Sequence, residues 1–593
     1  MAIKYIDVMD TTFRDGFQSV FGGRVLMKDF LPAVDAAVEA GIKHFEFGGG
    51  ARFQSLFFYL QENAFDMMDE FAKRAKGANL QILARGINTV MLDTASREMI
   101  DLFAKLFAKH NTTTVRNFDA LNDVNNLIYS GQAIKKAGMK HEAVVTIMDL
   151  PPGCTGAHDV EFYEKVLRGI IENVEFDSIA FKDATGTAHP NKIYETIKMA
   201  RKLLGKDVHI RLHTHETAGI SVASYLAALE AGVDGIDLAA APVSGGTSQP
   251  DIITLLHATK GMPYNLGDLD MEKILDYEET LKKCLEDYFL PPEATQVNPI
   301  IPFSPMPGGA LTANTQMMRD NNILHKFNDV IKAMREVVEK GGYGTSVTPV
   351  SQFYWQQAFN NVMFGPWKKI APGYGRMVLG YFGKTPVKPD EEVIKLASEQ
   401  LNLEPTTENP LDLADRDERK SIKYWKELLE KEGIEPTEEN IFIAASCQEK
   451  GIAFLKGESP LMVRKKGEEM AKNSEGIYTV IVDGEVFNVE VKEGKVEIKS
   501  EVKEVKPVAK EETTTEPTKE DVIEVLSPVP GTVWKILVNP GDKVNAGDKI
   551  MILESMKMEI DIPAPVSGII AHIPVKINDS INEGDVLATI EEE

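Results

Sequence analysis

The sequence predicts an α/β fold: a (β/α)8 TIM barrel with a mostly helical C-terminal extension, then a small all-β domain on a flexible linker. Two observations support this prediction. The first 240 residues repeat a short apolar strand, a polar loop and an amphipathic helix eight times. Eight such units favour a closed barrel over an open doubly wound sheet, which is the alternative. Residues 523–593 instead contain two similar β-rich halves.

Eight strand candidates mark the barrel, each a short run rich in apolar and β-branched residues. They are YIDVM (5–9), HFEFG (44–48), QILAR (81–85), TVRNF (114–118), EAVVTIM (142–148), SIAFK (178–182), HIRLHTH (209–215) and GIDLAA (235–240). Amphipathic helices lie between several of them, and those at 27–41 and 221–233 close at a glycine, as helix ends often do. The barrel is therefore assigned to residues 1–270.

The helical extension is assigned to residues 271–470. Long, charged, amphipathic stretches occur there at 271–289, 324–342 and 421–433. Their regular pattern predicts helices and argues against a linker.

Two further segments separate this extension from the last domain. Residues 471–500 alternate around two turn sequences, DG and EG, and predict a small β-meander. Residues 501–522 combine Glu, Lys, Thr and Pro with few apolar residues. Such a composition cannot bury a core and predicts a flexible, extended tether.

The C-terminal domain, residues 523–593, is an internal duplication. Three turn motifs recur 37 residues later: those at 530–531, 541–542 and 546–548 return at 567–568, 578–579 and 583–585. The repeat predicts a flattened β-barrel with pseudo-two-fold symmetry. Its seam, ESMKMEI, places Lys557 at an exposed hairpin tip, where it is accessible to modification. An ordinary surface lysine is the alternative.

Composition excludes several classes of partner. The net charge of −25 argues against nucleic acid or an anionic membrane, since both require a basic footprint. No run of about 18 apolar residues predicts a membrane span, and the first residues lack a secretory signal pattern. Three cysteines lie far apart without metal-type spacing, which fits a reducing cytoplasm.

His213 and His215 predict a metal site. Residues i and i+2 of a strand share a face, so both imidazoles should point together from the end of the seventh strand. Barrel enzymes place their active sites at that end, where Asp15 and Lys182 follow or close other strands. Two imidazoles and a carboxylate suit a divalent metal with an open position. Two hydrogen-bonded histidines in the barrel mouth are the alternative.

Motifs along the chain resemble a known family. They are DTTFRDGFQS (10–19), FEFGGGARF (45–53), ARGIN (84–88), FDALND (118–123), FKDATG (181–186), HTHETAG (213–219), SGGTSQP (244–250) and VTPVSQ (347–352). Over roughly residues 4–460 the chain is similar to the carboxyltransferase barrel shared by pyruvate carboxylase, the oxaloacetate decarboxylase alpha subunit and transcarboxylase. SMKM around Lys557 resembles the AMKM core of biotinyl carrier domains, and its methionines favour biotin over lipoate.

The resemblance implies a metal site and a modified lysine. Asp15, Lys182, His213 and His215 would hold a divalent ion, Zn, Mn or Co. Lys182 would be carbamylated, which turns a cation, a poor ligand, into what is in effect a carboxylate. The alternative for Lys182 is an unmodified lysine paired with a neighbouring aspartate. Lys557 would carry covalent biotin.

The resemblance also implies how the substrate is held. Arg14, Gln18 and Arg85 would bind it, and an anionic 2-oxoacid does need charge-assisted, preferably bidentate donors. Thr348 would relay a proton between biotin and substrate. Catalysis would thus involve Thr348, Arg14 and Lys182.

The function implied is that of the carboxyltransferase subunit of a two-subunit pyruvate carboxylase. It would move CO2 from carboxybiotin on its own carrier domain to pyruvate and form oxaloacetate. No ATP-binding module long enough to charge biotin is found in the sequence. The expected partners are therefore an ATP-grasp biotin carboxylase subunit and a biotin protein ligase, with the chain assembled as a homo-oligomer.

Other functions stay open at this point. An oxaloacetate decarboxylase alpha subunit would run the same half-reaction backwards with membrane subunits of a sodium pump. Gln352 stands where single-chain pyruvate carboxylases usually have lysine, which resembles both the separate-subunit carboxylases and the decarboxylases. Another 2-oxoacid, such as 2-oxoglutarate, is a further possibility. Two alternatives come from other classes: a biotin carrier with a non-catalytic barrel, and a biotin-free, metal-dependent acyltransferase or lyase.

Overall fold

The computed structural model describes residues 3–466, the strands 476–482 and 485–491, and residues 522–592 apart from 556, 557 and 578. Eight parallel strands form a closed barrel, because β1 pairs with both β2 and β8. A short ninth strand lies beside the first half of β1. The strands are β1 Lys4–Asp10, β2 His44–Gly49, β3 Asn79–Ala84, β4 Thr114–Asn117, β5 Lys140–Thr146, β6 Ser178–Asp183, β7 His209–Thr214, β8 Gly235–Leu238 and β9 Tyr264–Leu266. The predicted TIM barrel is confirmed.

Helices cover the outside of the barrel. Side chains of Asn63, Asp159 and Asp251 accept hydrogen bonds from the first backbone N–H groups of three of them, which starts each helix at that residue. The predicted glycine end is found at Gly232, which has φ 102°. The helices are α1 Phe17–Phe21, α2 Met27–Glu39, α3 Gly50–Ser55, α4 Ala64–Arg74, α5 Arg97–Lys109, α6 Asn125–Lys136, α7 Val160–Asn173, α8 Pro190–Leu204, α9 Ser221–Ala231 and α10 Ile252–Ala258.

The prediction that the extension is mostly helical is confirmed. Its helices are α11 Met271–Cys284, α12 Gly308–Asp320, α13 Phe327–Lys340, α14 Val350–Phe364, α15 Pro372–Val378, α16 Glu391–Leu401, α17 Pro410–Arg416, α18 Ile422–Lys431 and α19 Glu438–Leu455. Short helical turns occur in both regions at Thr12–Gly16, Leu56–Leu60, Gly86–Asn88, Pro292–Ala294, Ile301–Phe303, Leu324–Lys326 and Glu418–Lys420.

The extension packs against the segment that follows β4, which consists of a loop and the start of α6. The backbone N–H of Thr345 donates to the carbonyl of Ala120 at 2.8 Å, and the amide of Asn126 donates to the carbonyl of Phe382 at 2.9 Å. Because this segment follows the carboxyl end of a barrel strand, it lies at the mouth of the barrel. The extension therefore helps to build the mouth.

The predicted β-meander and tether are described only in part. Strands β10 Gly476–Val482 and β11 Glu485–Val491 pair in antiparallel fashion. The remainder of 471–500 and the predicted tether up to residue 521 lie outside the described residues.

The C-terminal domain consists of two four-stranded antiparallel sheets. Its strands are β12 Val522–Leu526, β13 Gly531–Ile536, β14 Lys543–Val544, β15 Lys549–Ser555, β16 Met558–Pro563, β17 Gly568–His572, β18 Ser580–Ile581 and β19 Val586–Glu592. The sheet orders are β12-β19-β17-β14 and β16-β15-β13-β18. Strands β13, β14 and β15 begin 37 residues before β17, β18 and β19. Exchanging the two repeats turns one sheet order into the other, so the predicted duplication is confirmed.

Among the described residues, no helix is both long and apolar enough to span a membrane.

Glu278 of α11 gives a testable pH dependence. Its side chain is buried beside Asp251, and burial and then the charge of Asp251 raise the pKa of Glu278 to about 9. The folded chain therefore keeps this carboxyl protonated, whereas the unfolded chain ionises it above its ordinary pKa. The stability that Glu278 contributes is thus fully present only below that ordinary pKa and is lost as the pH rises towards 9.

We expect Glu278→Gln, a neutral isostere, to stabilise the protein by roughly 3 kcal/mol at pH 7, with a gain that grows as the pH rises. Thermal unfolding of both proteins between about pH 5.5 and 8.5 measures the difference. Glu279→Gln, at the exposed neighbouring position, should change the midpoint little. A gain that does not vary with pH would contradict the assignment.

Candidate active site at the barrel mouth

Four predicted residues meet at the carboxyl ends of the barrel strands. Asp15 lies in the helical turn after β1, Lys182 in β6, His213 in β7 and His215 directly after β7. All four are buried. Parallel strands bring residues that are far apart in sequence to one edge, which is why the barrel can assemble this group.

The four side chains contact one another directly. The carboxylate Oδ2 of Asp15 lies 3.2 Å from His213 Nε2 and 3.4 Å from His215 Nε2. Lys182 Nζ lies 3.7 Å from the same oxygen and 2.8 Å from His213 Nε2. The ligand atoms of Asp15, His213 and His215 all lie within 4.8 Å of one another. Their number and chemistry fit a divalent metal ion.

The orientation of His215 favours metal binding. Its Nδ1 lies 2.7 Å from the carbonyl oxygen of Thr247. A carbonyl can only accept, so Nδ1 carries the proton and Nε2 presents its lone pair to Asp15. The amide nitrogen of Gln249 lies 3.0 Å from that Nε2. An amide N–H is a donor, so Nε2 accepts its hydrogen bond, as an unprotonated nitrogen does.

Burial and charge set the protonation of the cluster. Burial raises the pKa of Asp15, but the charges of Arg14 and Lys182 outweigh it and hold this pKa well below its usual range. Burial, then the charge of Lys182, lowers the pKa of His213. Burial also lowers the pKa of Lys182 to about 8. Asp15 is therefore ionised and His213 neutral near pH 7, as metal ligands must be.

A network of buried charges lies beneath the cluster, inside the barrel. Its members pair in alternation: Arg14 with Asp15 and Glu46, Arg116 with Glu142 and Asp237, and Arg211 with Asp237 and Asp7. All but Asp7 are buried. Buried charges are tolerated when each is paired and hydrogen-bonded, so these side chains hold one another in place.

The predicted substrate residues line one pocket with this cluster. Its wall contains Arg14, Gln18, Arg85 and Thr348 together with Asp15, Lys182, His215, Leu83, Phe118, Ala184, Pro307, Gly309, Ala310 and Val347. The structure thus brings together every predicted site residue of the barrel and the extension. His213 does not line the pocket itself but contacts Asp15, which does.

Arg85 differs from Arg14 in its partners. Its Nη1 donates to the carbonyls of Val90 and Met91 at 2.7 and 3.0 Å, whereas Arg14 pairs with Glu46 and Asp15. No carboxylate among the described residues pairs with Arg85, and its Nε lacks a hydrogen-bond partner there. Burial, then the charge of Arg14, lowers the pKa of Arg85 to about 9. This guanidinium is charged at neutral pH and can accept an anion.

Three site residues were missed by the sequence analysis. Gln249 donates to Asp15 Oδ2 at 3.2 Å and lies in the SGGTSQP motif, to which no individual role had been given. Glu46 and Asp237 are acidic residues on the barrel strands HFEFG and GIDL. An acidic residue within an otherwise apolar strand was the signal that could have found them.

Lys557, the predicted biotin site, lies outside the described residues. The strands on either side of it, β15 and β16, pair in antiparallel fashion up to the pair Ser555 and Met558.

Together, fold and site define a barrel protein with a candidate metal site at its mouth and a separate β-domain. Three family descriptions match successive parts of the chain. They are "HMGL-like" over residues 5–280, "Conserved carboxylase domain" over 301–500 and "Biotin-requiring enzyme" over 523–590.

A pyruvate carboxylase subunit of Methanocaldococcus jannaschii is 31% identical, over 93% of this chain and 94% of that protein. The large subunit of 2-oxoglutarate carboxylase of Hydrogenobacter thermophilus is 27% identical, over 94% and 91%. The carboxyl transferase domain of Rhizobium etli pyruvate carboxylase, solved with pyruvate and biocytin, superposes with a TM-score of 0.70 at 24% identity, over 77% of this chain and 78% of that one.

The chain belongs to the family of biotin-dependent carboxyltransferases that includes this archaeal pyruvate carboxylase subunit. It is an enzyme that uses biotin, and the barrel mouth holds a candidate site for the divalent metal of this family.

The metal assignment predicts the effect of removing one donor. We expect Asp15→Asn to lower the bound divalent metal at least about tenfold, because the amide adds no charge to offset the ion. Metal content per chain, measured by mass spectrometry after dialysis against a weak chelator, tests this. Ser19→Ala is the matched control, because its hydroxyl contacts Asp15 Oδ1 at 3.4 Å but is not a donor in the cluster. Equal metal content in Asp15→Asn and the control would refute the site.

Proposed function

We propose that the chain is the carboxyltransferase subunit of a two-subunit pyruvate carboxylase. It transfers the carboxyl group of carboxybiotin, carried on Lys557, to pyruvate and forms oxaloacetate. The observation that carries this proposal is a single pocket. It is lined by members of the candidate metal cluster, by Thr348, and by Arg85, which has no carboxylate partner among the described residues. These are the groups that an anionic 2-oxoacid and a proton relay require.

Arg85 is proposed to bind the substrate carboxylate. A buried cation is unfavourable without a counter-charge, so an anion that reaches it gains a strong charge-assisted hydrogen bond. Arg14 already forms ion pairs with Glu46 and Asp15. It would therefore act on the 2-oxo end of the substrate, not on its carboxylate. Gln18, in the same pocket, offers an amide donor.

Asp15, His213, His215 and Lys182 are proposed to hold the divalent metal. When bound, the ion would polarise the 2-oxo group and stabilise the negative charge that develops on its oxygen. Lys182 would contribute as its carbamate. Only a neutral amine reacts with CO2, and a pKa of about 8 leaves roughly a tenth of Lys182 neutral near pH 7. For a lysine with its ordinary pKa, the neutral fraction near pH 7 is less than about one in a thousand.

Thr348 is proposed to pass a proton between biotin and the methyl group of pyruvate. It lies just before α14 and is half-buried at the pocket wall, beside Val347. A hydroxyl can accept one proton while it donates another, so it can relay a proton without a net change of charge. Removal of the methyl proton prepares pyruvate to take up CO2.

Lys557 is proposed to carry the biotin, attached by a biotin protein ligase. The strands that precede and follow it in the sequence pair in antiparallel fashion up to Ser555 and Met558. A tethered carrier raises the effective concentration of its cargo at the barrel. A separate ATP-grasp biotin carboxylase would load the carboxyl group. The likeness to a protein that is itself named as one subunit of a pyruvate carboxylase supports this division of labour.

The charges of the pocket favour pyruvate over 2-oxoglutarate. A second substrate carboxylate needs a second cation, and the remaining cations of the pocket wall, Arg14 and Lys182, already face Asp15. The relative from Hydrogenobacter thermophilus keeps 2-oxoglutarate as the alternative. Oxaloacetate decarboxylation with membrane subunits uses the same half-reaction in reverse and stays the second alternative. The domain limits, the homo-oligomer and the cytoplasmic location stay predictions.

The proton relay is tested by Thr348→Ala. We expect carboxyl transfer to fall at least about a hundredfold, because general acid–base steps contribute on this scale, while biotin attachment stays unchanged. Oxaloacetate formation is measured with ATP, bicarbonate, pyruvate and a biotin carboxylase, and biotin by avidin blot. Thr348→Ser, which keeps the hydroxyl, should retain most of the activity. Transfer at the original rate in the alanine variant would refute the relay.

The substrate assignment is tested by Arg85→Gln. We expect the KM for pyruvate to rise at least about tenfold, because a charge-assisted bond to the carboxylate is lost. Arg85→Lys keeps the charge but not the planar guanidinium. Its KM for pyruvate should lie between those of the original protein and Arg85→Gln. Biotin carboxylation by the partner subunit is the control and should not change. An unaltered KM in Arg85→Gln would contradict the role of Arg85.

A further inference from the structure

Asp237, on β8 inside the barrel, is the carboxylate behind His213. Its Oδ2 lies 2.8 Å from His213 Nδ1. Arg116 pairs with the same oxygen, and Arg211 Nη1 lies 3.1 Å from Oδ1. Asp237 and His213 are both fully buried. No motif of the sequence had suggested a role for Asp237.

This arrangement determines which nitrogen of His213 carries the proton. A carboxylate between two guanidinium groups is ionised and can only accept, so Nδ1 must be the donor. Arg116 Nη1 also lies 3.4 Å from Nδ1, but that contact is longer than the bond to the carboxylate and does not compete with it. The lone pair of His213 is therefore on Nε2, which faces Asp15 at 3.2 Å.

The two imidazoles of the cluster are fixed by different means. His215 donates to the backbone carbonyl of Thr247, which no substitution removes. His213 depends on one side chain. We infer that Asp237, held by Arg116 and Arg211, is a positioning residue of the metal centre that fixes the tautomer and ring orientation of His213.

The inference rests on the proposed metal role of His213, but it needs neither biotin nor a 2-oxoacid. It predicts a specific failure in Asp237→Asn. Asparagine has one oxygen where Asp237 offers two, Oδ1 to Arg211 and Oδ2 to Arg116 and His213 together. With that oxygen towards Arg211, the amide nitrogen takes the place that faces His213. His213 Nδ1 must then accept, and the proton moves to Nε2, where it blocks the ion. A residue of the same size thus produces the wrong tautomer.

The experiment measures binding of Co2+ to the full chain, prepared without metal, by competition with a chelator and by the visible spectrum of the bound ion. We expect Asp237→Asn to weaken binding about 10- to 100-fold. Glu142→Gln is the matched control, because Glu142 pairs with Arg116 at 2.6 Å and Arg211 at 3.5 Å in the same interior. This control should bind Co2+ within about threefold of the original protein, since His213 keeps its partner.

Two outcomes would overturn the inference. One is original affinity in Asp237→Asn; the other is an equal loss in Glu142→Gln, which would show a general effect of charge. If Asp237→Asn does not fold, nitrogen NMR of the histidine-labelled original chain, without metal, decides: the inference requires His213 to be protonated at Nδ1, and protonation at Nε2 refutes it. A chain that binds Co2+ as expected but carboxylates no 2-oxoacid would refute the proposed function and leave Asp237 in its role.

Discussion

The pairing of buried charges inside the barrel is the constraint on which the active site depends. TIM barrels are usually filled by layers of branched aliphatic side chains, but here arginines and carboxylates alternate below the mouth. Removing either partner of such a pair leaves an uncompensated buried charge and costs several kcal/mol. Each side chain therefore has one acceptable position. Two members of the network contact the site directly: Glu46 holds Arg14 and Asp237 holds His213.

The fold could be predicted from the sequence because its signals are local or periodic. Eight strand–helix units, helix ends at glycine and a repeat of 37 residues are visible without any knowledge of contacts. The pair His213 and His215 was likewise visible, because a strand alternates its faces. For the meander only its first two strands are described, and the tether and Lys557 lie beyond the described residues.

The rest of the site could not be derived from local pattern. Arg14, Gln18, Arg85 and Thr348 were found through a resemblance, and nothing in the spacing of Thr348 distinguishes it from an ordinary turn. Asp237 was missed for a different physical reason. Its partner Arg116 is 121 residues away, and only closure of the barrel shows that two charged strand residues face each other.

The balance of charge around the pocket links the three parts of the proposal: the metal ion, the carbamate on Lys182 and the anionic substrate. With an unmodified lysine, Asp15 faces both Arg14 and Lys182, Glu46 also pairs with Arg14, and Arg85 has no carboxylate among the described residues. A carbamate on Lys182 would replace a positive charge by a negative one, so two anionic ligands would match a divalent ion. That leaves Arg85 as the cation still to be neutralised. An anionic substrate would supply the missing charge, and a neutral analogue of the same shape would leave a buried guanidinium unpaired. The proposed selectivity for an acid would thus follow from the same requirement for paired charges that organises the interior of the barrel.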